Sequence, residues 1–502
     1  MRLRVYPERG QFRAYAGEAN LVPVCMELLA DTETPVSALG KVYQGRGPVF
    51  LLESVEGGER WGRYSMLGHS ARAQVRVYRD RVEVEEREGR RDIAHAGHPL
   101  GVLRGLMAEC RPALVPGLPR FWGGLVGYLT YEMVSFFEAI PNRLPAETPL
   151  AHFMLTDGLY IFDNVRHTIT LVAHCYLDGR DAGEAYDEGL ARLEAMETGL
   201  EEAPHRARER GHGGEAVEIR PVLGEEEFRR RVRRVKEYIR AGDIIQAVIS
   251  QPFVCEPAPD PWLLYRVQRY VNPSPYLFFL HLDDMALVGS SPETLVRLEQ
   301  GVATLRPIAG TRPRGATEQE DRRLADELLQ DPKERAEHLM LVDLGRNDLG
   351  RVAEVGTVQV TDLMVVERYS HVMHLVSNIS CDMRQECDAW DLLAACFPAG
   401  TLTGAPKVRA MEIIDEMEQA PRGPYGGAVG YISFGGNMDL AITIRTAMIE
   451  GGKKMTVQAG AGIVADSDPE RERQETVNKA RALEEGLRLL SDNGHGKGES
   501  RQ

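Results

Sequence analysis

Residues 306–348 read RPIAGTRPRGATEQEDRRLADELLQDPKERAEHLMLVDLGRND, and this stretch decides how the rest of the chain is read. Its first part is the end of a strand running into a loop in which Gly310, Arg312, Arg314 and Gly315 suit close approach to an anion. Its second part is a helix: Pro332 opens it, Ala336, Leu339, Met340 and Leu344 recur at helical spacing, and Gly345 is the expected stop. Glu334 and Glu337 lie three residues apart, so their carboxylates share one face one turn apart. On a wet helix face such a like-charge pair costs only a few tenths of a kcal/mol, so alone it is unremarkable. A second pair with the same spacing, Glu472 and Glu475, opens another helix in DSDPERERQETVNKA (466–480). Two acidic pairs without a Cys or His ligand cluster suit a hard cation such as Mg²⁺, which takes oxygen ligands and keeps waters that a substrate replaces.

Working outward, 502 residues with 43% hydrophobic content supply two or three ordinary domains or one large two-layer domain. A formal charge of −15 argues against nucleic acid as a partner, because a phosphate footprint needs a basic face. No apolar run nears the roughly 18 residues that span a bilayer, and MRLRVYPERGQF lacks the apolar stretch of a signal peptide. The expectation is a cytoplasmic protein without a membrane partner. Seven cysteines without a CxxC fit reduced thiols used as small core residues.

Four segments are expected: a mixed N-terminal lobe over 1–196, a linker or surface loop over 197–222, a second domain over 223–490, and a disordered tail over 491–502. In the lobe, Pro35 opens a helix, 49–52 form a buried strand leaving the core at Glu53 and Ser54, and alternation puts Val75, Val77, Val82 and Val84 inward. After the charge-rich break, Phe228, Val232, Val235 and Ile239 mark one face of a helix stopped by Gly242, and a strand carrying Gln246 follows. A hairpin is expected around 299–301. The loop FPAGTLTGAPK feeds a helix with Pro406 in its first turn, suiting either simple capping or an anion at the helix N-terminus. Arg445 reads as a strand residue among apolar neighbours and needs a counter-charge, either an internal carboxylate or a substrate's.

The segments GDIIQAVISQ, NPSPYLFF, SSPETLVR, RPIAGTRPRG, KERAEHLMLVDLGRND, HVMHLVS, FPAGTLTGAPKVRAMEIIDE, RGPYGGAVGY, AITIRTA and AGAGIVADSDPERERQETVNKA, in this order, resemble the chorismate-utilising enzymes, most closely their anthranilate synthase large-subunit branch. The likeness is dense over about 225–490 and weaker in the lobe, through TPVSA and LLES. The resemblance implies an α+β fold of two facing β-sheets, β-sandwich-like, with outer helices and the site in the cleft between the sheets. It implies Mg²⁺ as cofactor, with Glu337 and Glu475 as direct ligands, Glu334 and Glu472 acting through water, and the metal holding the ring carboxylate of chorismate. Gly460, Ala461 and Gly462 would offer backbone to that carboxylate near Lys479, and Tyr425 and Arg445 would hold the pyruvyl carboxylate. Glu293 resembles the general acid for the departing ring hydroxyl, His374 the active-site histidine, and Thr403 a substrate-proximal position.

Two positions choose within the family. Members that add water carry a Lys where this chain has Gln246, and a Gln amide cannot take a proton from water, whereas ammonia is nucleophilic unaided. Para-aminobenzoate-forming relatives resemble PIKGT, whereas this chain has Ala309, Gly310 and Thr311 in PIAGT. The implied reaction is amination of chorismate and loss of pyruvate to give anthranilate, the first committed step towards tryptophan. No glutaminase nucleophile segment is recognised, so a separate glutamine amidotransferase subunit, and hence a hetero-oligomer, is expected. LLES with Glu53 and Ser54, and NPSPYLFF with Pro275, Tyr276 and Leu277, resemble the tryptophan-binding segments of feedback-inhibited members, Leu277 replacing the usual Met. Three other readings compete: an enzyme that stops at the aminodeoxy intermediate, a catalytically silent amino-acid sensor, and a di-iron carboxylate protein. The last conflicts with the Gly-rich strands and lacks ExxH pairs.

Overall fold

The computed structural model describes residues 1–54, 62–202, 218–369 and 372–492. Among these, the strands form two antiparallel sheets, one of thirteen strands and one of twelve. The alternation within each strand explains why two sheets can face each other. In Val49–Glu53, Phe50 points into a core shared with Val126, Tyr128, Met154, Val429 and Tyr431 of the opposite sheet, whereas Val49 and Leu51 point into a second core under the outer helices. Phe278 and Leu280 against Leu277 and Phe279 repeat the pattern. Strands covered on both faces need continuous apolar runs, which is what VFLL and YLFFL supply. The expected α+β class with two facing sheets and outer helices is the observed architecture.

Strands from both halves of the chain interleave in both sheets. Val49–Glu53 pairs with Tyr276–Leu282, with Leu51 opposite Phe279, and Gly124–Leu129 pairs with Ala428–Ser433, with Gly127 opposite Gly430. The sheets therefore run on past the break at 197–222. Of that stretch, residues up to Glu201 continue the Ala182–Glu201 helix and Arg220–Pro221 pairs with Phe253 and Val254, while 203–217 lie outside the described residues. The last helix runs Pro469–Asp492, so the expected tail is ordered at 491–492 and otherwise lies outside the described residues.

The helix on which the sequence reading was centred spans Pro332–Gly350, with Asp331 accepting at its N-cap from Lys333 and Glu334. It continues through Gly345, correcting the expected stop. Gly345 serves packing instead: a Cβ there would lie 2.8 Å from Ile379 Cδ1. The inward face is also corrected. His338, Leu341, Val342, Gly345 and Leu349 are buried, whereas Leu339 is 44% exposed. Apolar residues occur on nearly every side of this helix, so spacing alone could not say which side meets the sheet.

Most other local expectations hold, and one is corrected. The Glu225–Ala241 helix buries Phe228, Val232 and Val235 and ends at Gly242 in the left-handed region, at φ 86°. Gln300 and Gly301 turn the hairpin with positive φ. Pro406 sits at the N-cap, one residue before the Lys407–Glu418 helix, not in its first turn. All seven cysteines are free, and five are buried.

Candidate active site

Two corners where the chain passes from one sheet to the other build the site. Met285–Ser291 belongs to the larger sheet and Thr294–Glu299 to the smaller, with Glu293 on the two-residue corner between them. Met438–Ile442 and Thr446–Glu450 make the reverse crossing, with Arg445 on the bend between. Arg445 is thus not a strand residue, as the sequence suggested; its φ of 49° breaks the strand. A non-glycine held in the left-handed region is costly and occurs where a side chain must be aimed. The two corners touch: Ser290 N–H donates to Arg445 O at 3.3 Å.

They open into a cleft of about 250 Å³. Gln246, Glu293, Ala309, Thr311, Glu337 and His374 line it, and so do Tyr425, Arg445, Gly460, Gly462, Glu475 and Lys479. Segments 306–348 and 466–480 therefore meet. Glu334 and Glu472 are not among the lining residues, and Ala461 faces the core under the outer helices. Gly310 is also set back, in the left-handed region at a register shift, where a Cβ would come within 3.1 Å of Glu334 Oε2.

The glycines have a steric reason. Gln246–Cys255 pairs along Lys454–Ile463, putting Val248 opposite Gly462 and Ser250 opposite Gly460. A Cβ on Gly462 would sit 2.4 Å from Gln246 Nε2, and one on Gly460 2.6 Å from the Tyr425 hydroxyl. Only glycine admits both polar tips to this wall.

Burial sets the charge states. Glu293 is 8% exposed, and desolvation pushes its carboxyl up to about 7 against a Thr401 hydrogen bond and the Arg445 and Lys479 charges. Burial lowers Arg445, which Glu293 opposes. Burial also lowers His374, keeping its ring neutral; Nδ1 lies 3.0 Å from Gly310 O and is assigned as the donor, which leaves Nε2 as acceptor. Glu337 is raised, first by burial and then by Glu334 and Glu475, while Gln246 Nε2 donates to it at 3.2 Å. Glu472 is raised by burial and by Glu475. Lys479 Nζ bridges Glu475 at 2.7 Å and Gly460 O at 2.9 Å.

Among the described residues, no three His, Cys, Asp or Glu side chains form a ready metal cage. The donor chemistry nevertheless fits a hard cation. Glu337 and Glu475 are carboxylates on one cleft, Glu475 adds to the cost of ionising Glu337, and a cation, here the Lys479 ammonium, already sits against Glu475.

Thr403 is fully buried away from the lining, its hydroxyl donating to Ala399 O at 3.1 Å; Thr401, two residues earlier, lines the cleft instead. Val248, Leu402 and Gln458 are further lining residues that sequence reading missed. Alternation carried a signal for one of them, since Gln458, Gly460 and Gly462 share a strand face.

A second, smaller cavity of about 60 Å³ lies between the sheets, lined by Glu53, Ser54, Pro275, Tyr276 and Leu277 with Arg120 and Asp439. Glu53 is buried at 6% exposure, not at the point where the strand leaves the core. Tyr265 Oη and Arg269 Nε donate to it, which is how the fold accommodates the carboxylate. Tyr276 Oη donates to Asp439 at 2.8 Å and lies 2.9 Å from the Thr294 hydroxyl, next to Glu293.

Residues 49–485 match the family model described as chorismate binding enzyme. Anthranilate synthase component 1 of Acetivibrio thermocellus is 45% identical, covering 95% of this chain and 97% of that protein. Its counterpart in Aquifex aeolicus (strain VF5) is 46% identical over 96% and 98%. Among solved structures, anthranilate synthase component I from Streptococcus pneumoniae TIGR4 superposes with a TM-score of 0.75 at 36% identity, covering 86% of this chain and 93% of that one. The menaquinone-specific isochorismate synthase of Escherichia coli, at 19% identity and a TM-score of 0.68, shares the fold. A cleft built on two sheet-to-sheet corners, walled by glycines and paired glutamates, is thus part of a wider likeness that spans nearly the whole chain, and the chain belongs to the family of chorismate binding enzymes.

Proposed function

We propose that this chain is the chorismate-aminating component of an anthranilate synthase. One observation carries the reading: the cleft joins a carboxylate wall, Glu337 and Glu475, to an Arg445 guanidinium and to a carboxylic acid, Glu293, that stays protonated to near neutrality. Chorismate carries two carboxylates and a ring hydroxyl that must leave, so it needs one cationic subsite, one metal-assisted subsite and one acid.

Arg445 and Tyr425 bind the pyruvyl carboxylate, which supplies the counter-charge a desolvated guanidinium requires. The backbone at Gly460 and Gly462 and the Lys479 ammonium face the ring carboxylate. Glu337 and Glu475, with Glu334 and Glu472 one turn away on the same helices, would hold Mg²⁺, which would supply the positive charge that lets two carboxylates and a substrate anion share one site. Glu293 gives its proton to the ring hydroxyl, which leaves as water while ammonia adds at the ring carbon next to the carboxylate-bearing carbon. Gln246 lends no base, which ammonia does not need and water would. His374 Nε2 is the acceptor for the ring proton lost as the enolpyruvyl group departs, and that proton passes to the methylene carbon of the leaving group, giving pyruvate as the ring becomes aromatic.

Ammonia is delivered by a separate glutamine amidotransferase subunit, and the small cavity beside Glu53 binds tryptophan as feedback inhibitor. The setting is cytoplasmic; no described helix is long and apolar enough to cross a membrane. The deciding assay uses the purified chain with chorismate, Mg²⁺ and ammonium, followed by anthranilate fluorescence. Appearance of anthranilate is expected. Isochorismate, or an aminodeoxy product that accumulates without pyruvate, would overturn the reading.

A further inference from the structure

Arg422 does not line the cleft, yet it ties three of its walls together. It is 4% exposed, and its guanidinium is fully engaged. Nη1 donates to Leu402 O and Nη2 to Val248 O, both at 2.8 Å, while Nε and Nη2 grip the two oxygens of Glu418 at 2.8 and 2.7 Å. Glu418 Oε1 also accepts from Ser250 N–H at 2.8 Å and Ser250 Oγ at 2.9 Å, and that hydroxyl accepts from Gln458 Nε2 at 2.8 Å. The guanidinium carbon lies 4.7 Å from the Tyr131 ring centroid and 5.7 Å from that of Tyr425. Val248, Leu402, Gln458 and Tyr425 all line the cleft.

Three elements therefore converge on one planar fork, the Gln246 strand, the loop carrying Thr401 and the segment leading to Tyr425, and the strand carrying Gly460 is joined to it through Ser250 and Glu418. Arginine suits the task because its donors have fixed directions, whereas a lysine ammonium is a point charge. A buried ion pair is weak evidence for stability, since apolar side chains of similar volume replace such pairs at little cost. What such a pair fixes here is the spacing between walls.

We propose that Arg422, held by Glu418, is a positioning residue of the reaction: it sets the separation of the Val248 strand, the Thr401–Leu402 loop and the Tyr425 ring, and through them the fit of the substrate's pyruvyl end. The inference rests on the cleft assignment proposed above. Wild-type turnover tests that assignment by itself, so the variants read the positioning role separately. Arg422→Lys is measured beside the double variant Arg422→Met with Glu418→Met, which removes both charges together and keeps the volume.

With melting temperatures within about 5 °C of wild type, both variants are expected to lose at least about 30-fold in kcat/KM, with kcat and KM both affected. Tyr425→Phe, costly in the wild type, is expected to add less than about 3-fold in the Arg422→Lys background, because residues acting as one unit are not additive. The proposal is overturned if the double variant keeps kcat/KM within about 2-fold of wild type, if the Tyr425→Phe effect is fully additive, or if the loss tracks melting temperature and vanishes on assay at lower temperature.

Discussion

The Gln246 amide nitrogen lies 3.2 Å from Glu337 Oε1, so the residue proposed to favour ammonia over water as nucleophile also touches a carboxylate of the proposed metal site. Glu337→Gln is expected to reduce anthranilate formation by at least about 10³-fold while the fold survives, because the amide keeps the shape and loses the charge. Gln246→Lys places an ammonium where a cation is wanted and is expected to raise the Mg²⁺ concentration for half-maximal activity at least about 10-fold. Titrating Mg²⁺ against turnover checks both; unchanged Mg²⁺ dependence in either variant would contradict the assignment.

The wall glycines predict different kinds of failure. Gly462→Ala meets the Gln246 amide, the tip of a flexible side chain, whereas Gly460→Ala meets the Tyr425 hydroxyl and, at 3.1 Å, Ile249 O, so the Tyr425 ring must shift. Both proteins are expected to fold and to show KM for chorismate raised at least about 10-fold. Gly404→Ala differs, since its φ is 140° and a Cβ would lie 2.0 Å from Gln246 O, a backbone atom with nowhere to go. That variant is expected to be destabilised by more than about 3 kcal/mol, read by denaturant unfolding.

Glu293 sets a pH dependence. Its carboxyl is raised from 4.5 to about 7 by burial, so it is a proton donor below that pH and loses the proton above it. Turnover normalised to free ammonia is expected to fall as pH rises through about 7, and the limb should vanish in Glu293→Gln along with at least about 10²-fold of the rate. The same shift has a sign for stability. The unfolded chain gives up this proton more readily, so Glu293 costs stability progressively as pH rises from 4.5 through 7.

Tryptophan is expected to raise the melting temperature through the cavity beside Glu53. At about 100 times its Kd a ligand adds about 2.7 kcal/mol, which for a chain of this size is about 2–3 °C. Leu52→Trp, on the strand face that packs between the sheets and lines the cavity, is expected to abolish the shift while ammonia-dependent turnover persists. A wild-type melting temperature indifferent to tryptophan would count against the pocket's assignment.

Much of the site was legible because it rests on short-range patterns. The pairs at helical spacing bring Glu337 and Glu475 to one cleft, beside the glycines at 460 and 462, while Glu334 and Glu472 do not line it. What escaped was decided at long range. Arg445 looks like a strand residue because its neighbours are apolar, and only the change of sheet at the bend reveals its role. Thr401 and Thr403 are equivalent in sequence, and only the fold shows that the Thr403 hydroxyl turns back to Ala399 O and Gly400 O while Thr401 lines the cleft. Glu53 looked like a point of exit from the core because its partners, Tyr265 and Arg269, lie more than two hundred residues downstream. The interleaving of the two halves within each sheet left no local trace at all.

That interleaving bears on how the chain is made. Leu51, paired early with Leu67, waits for Phe279, and Gly127, paired early with Phe153, waits for Gly430 before either strand gains its second neighbour. On the ribosome, the first half must emerge with open strand edges and hold them unpaired until the second half follows. Loop closure over such distances is slow, and exposed edges recruit other chains. A truncated product ending near residue 200 would thus be an aggregation hazard, and in the complete chain neither half reaches its native pairing until synthesis is nearly finished.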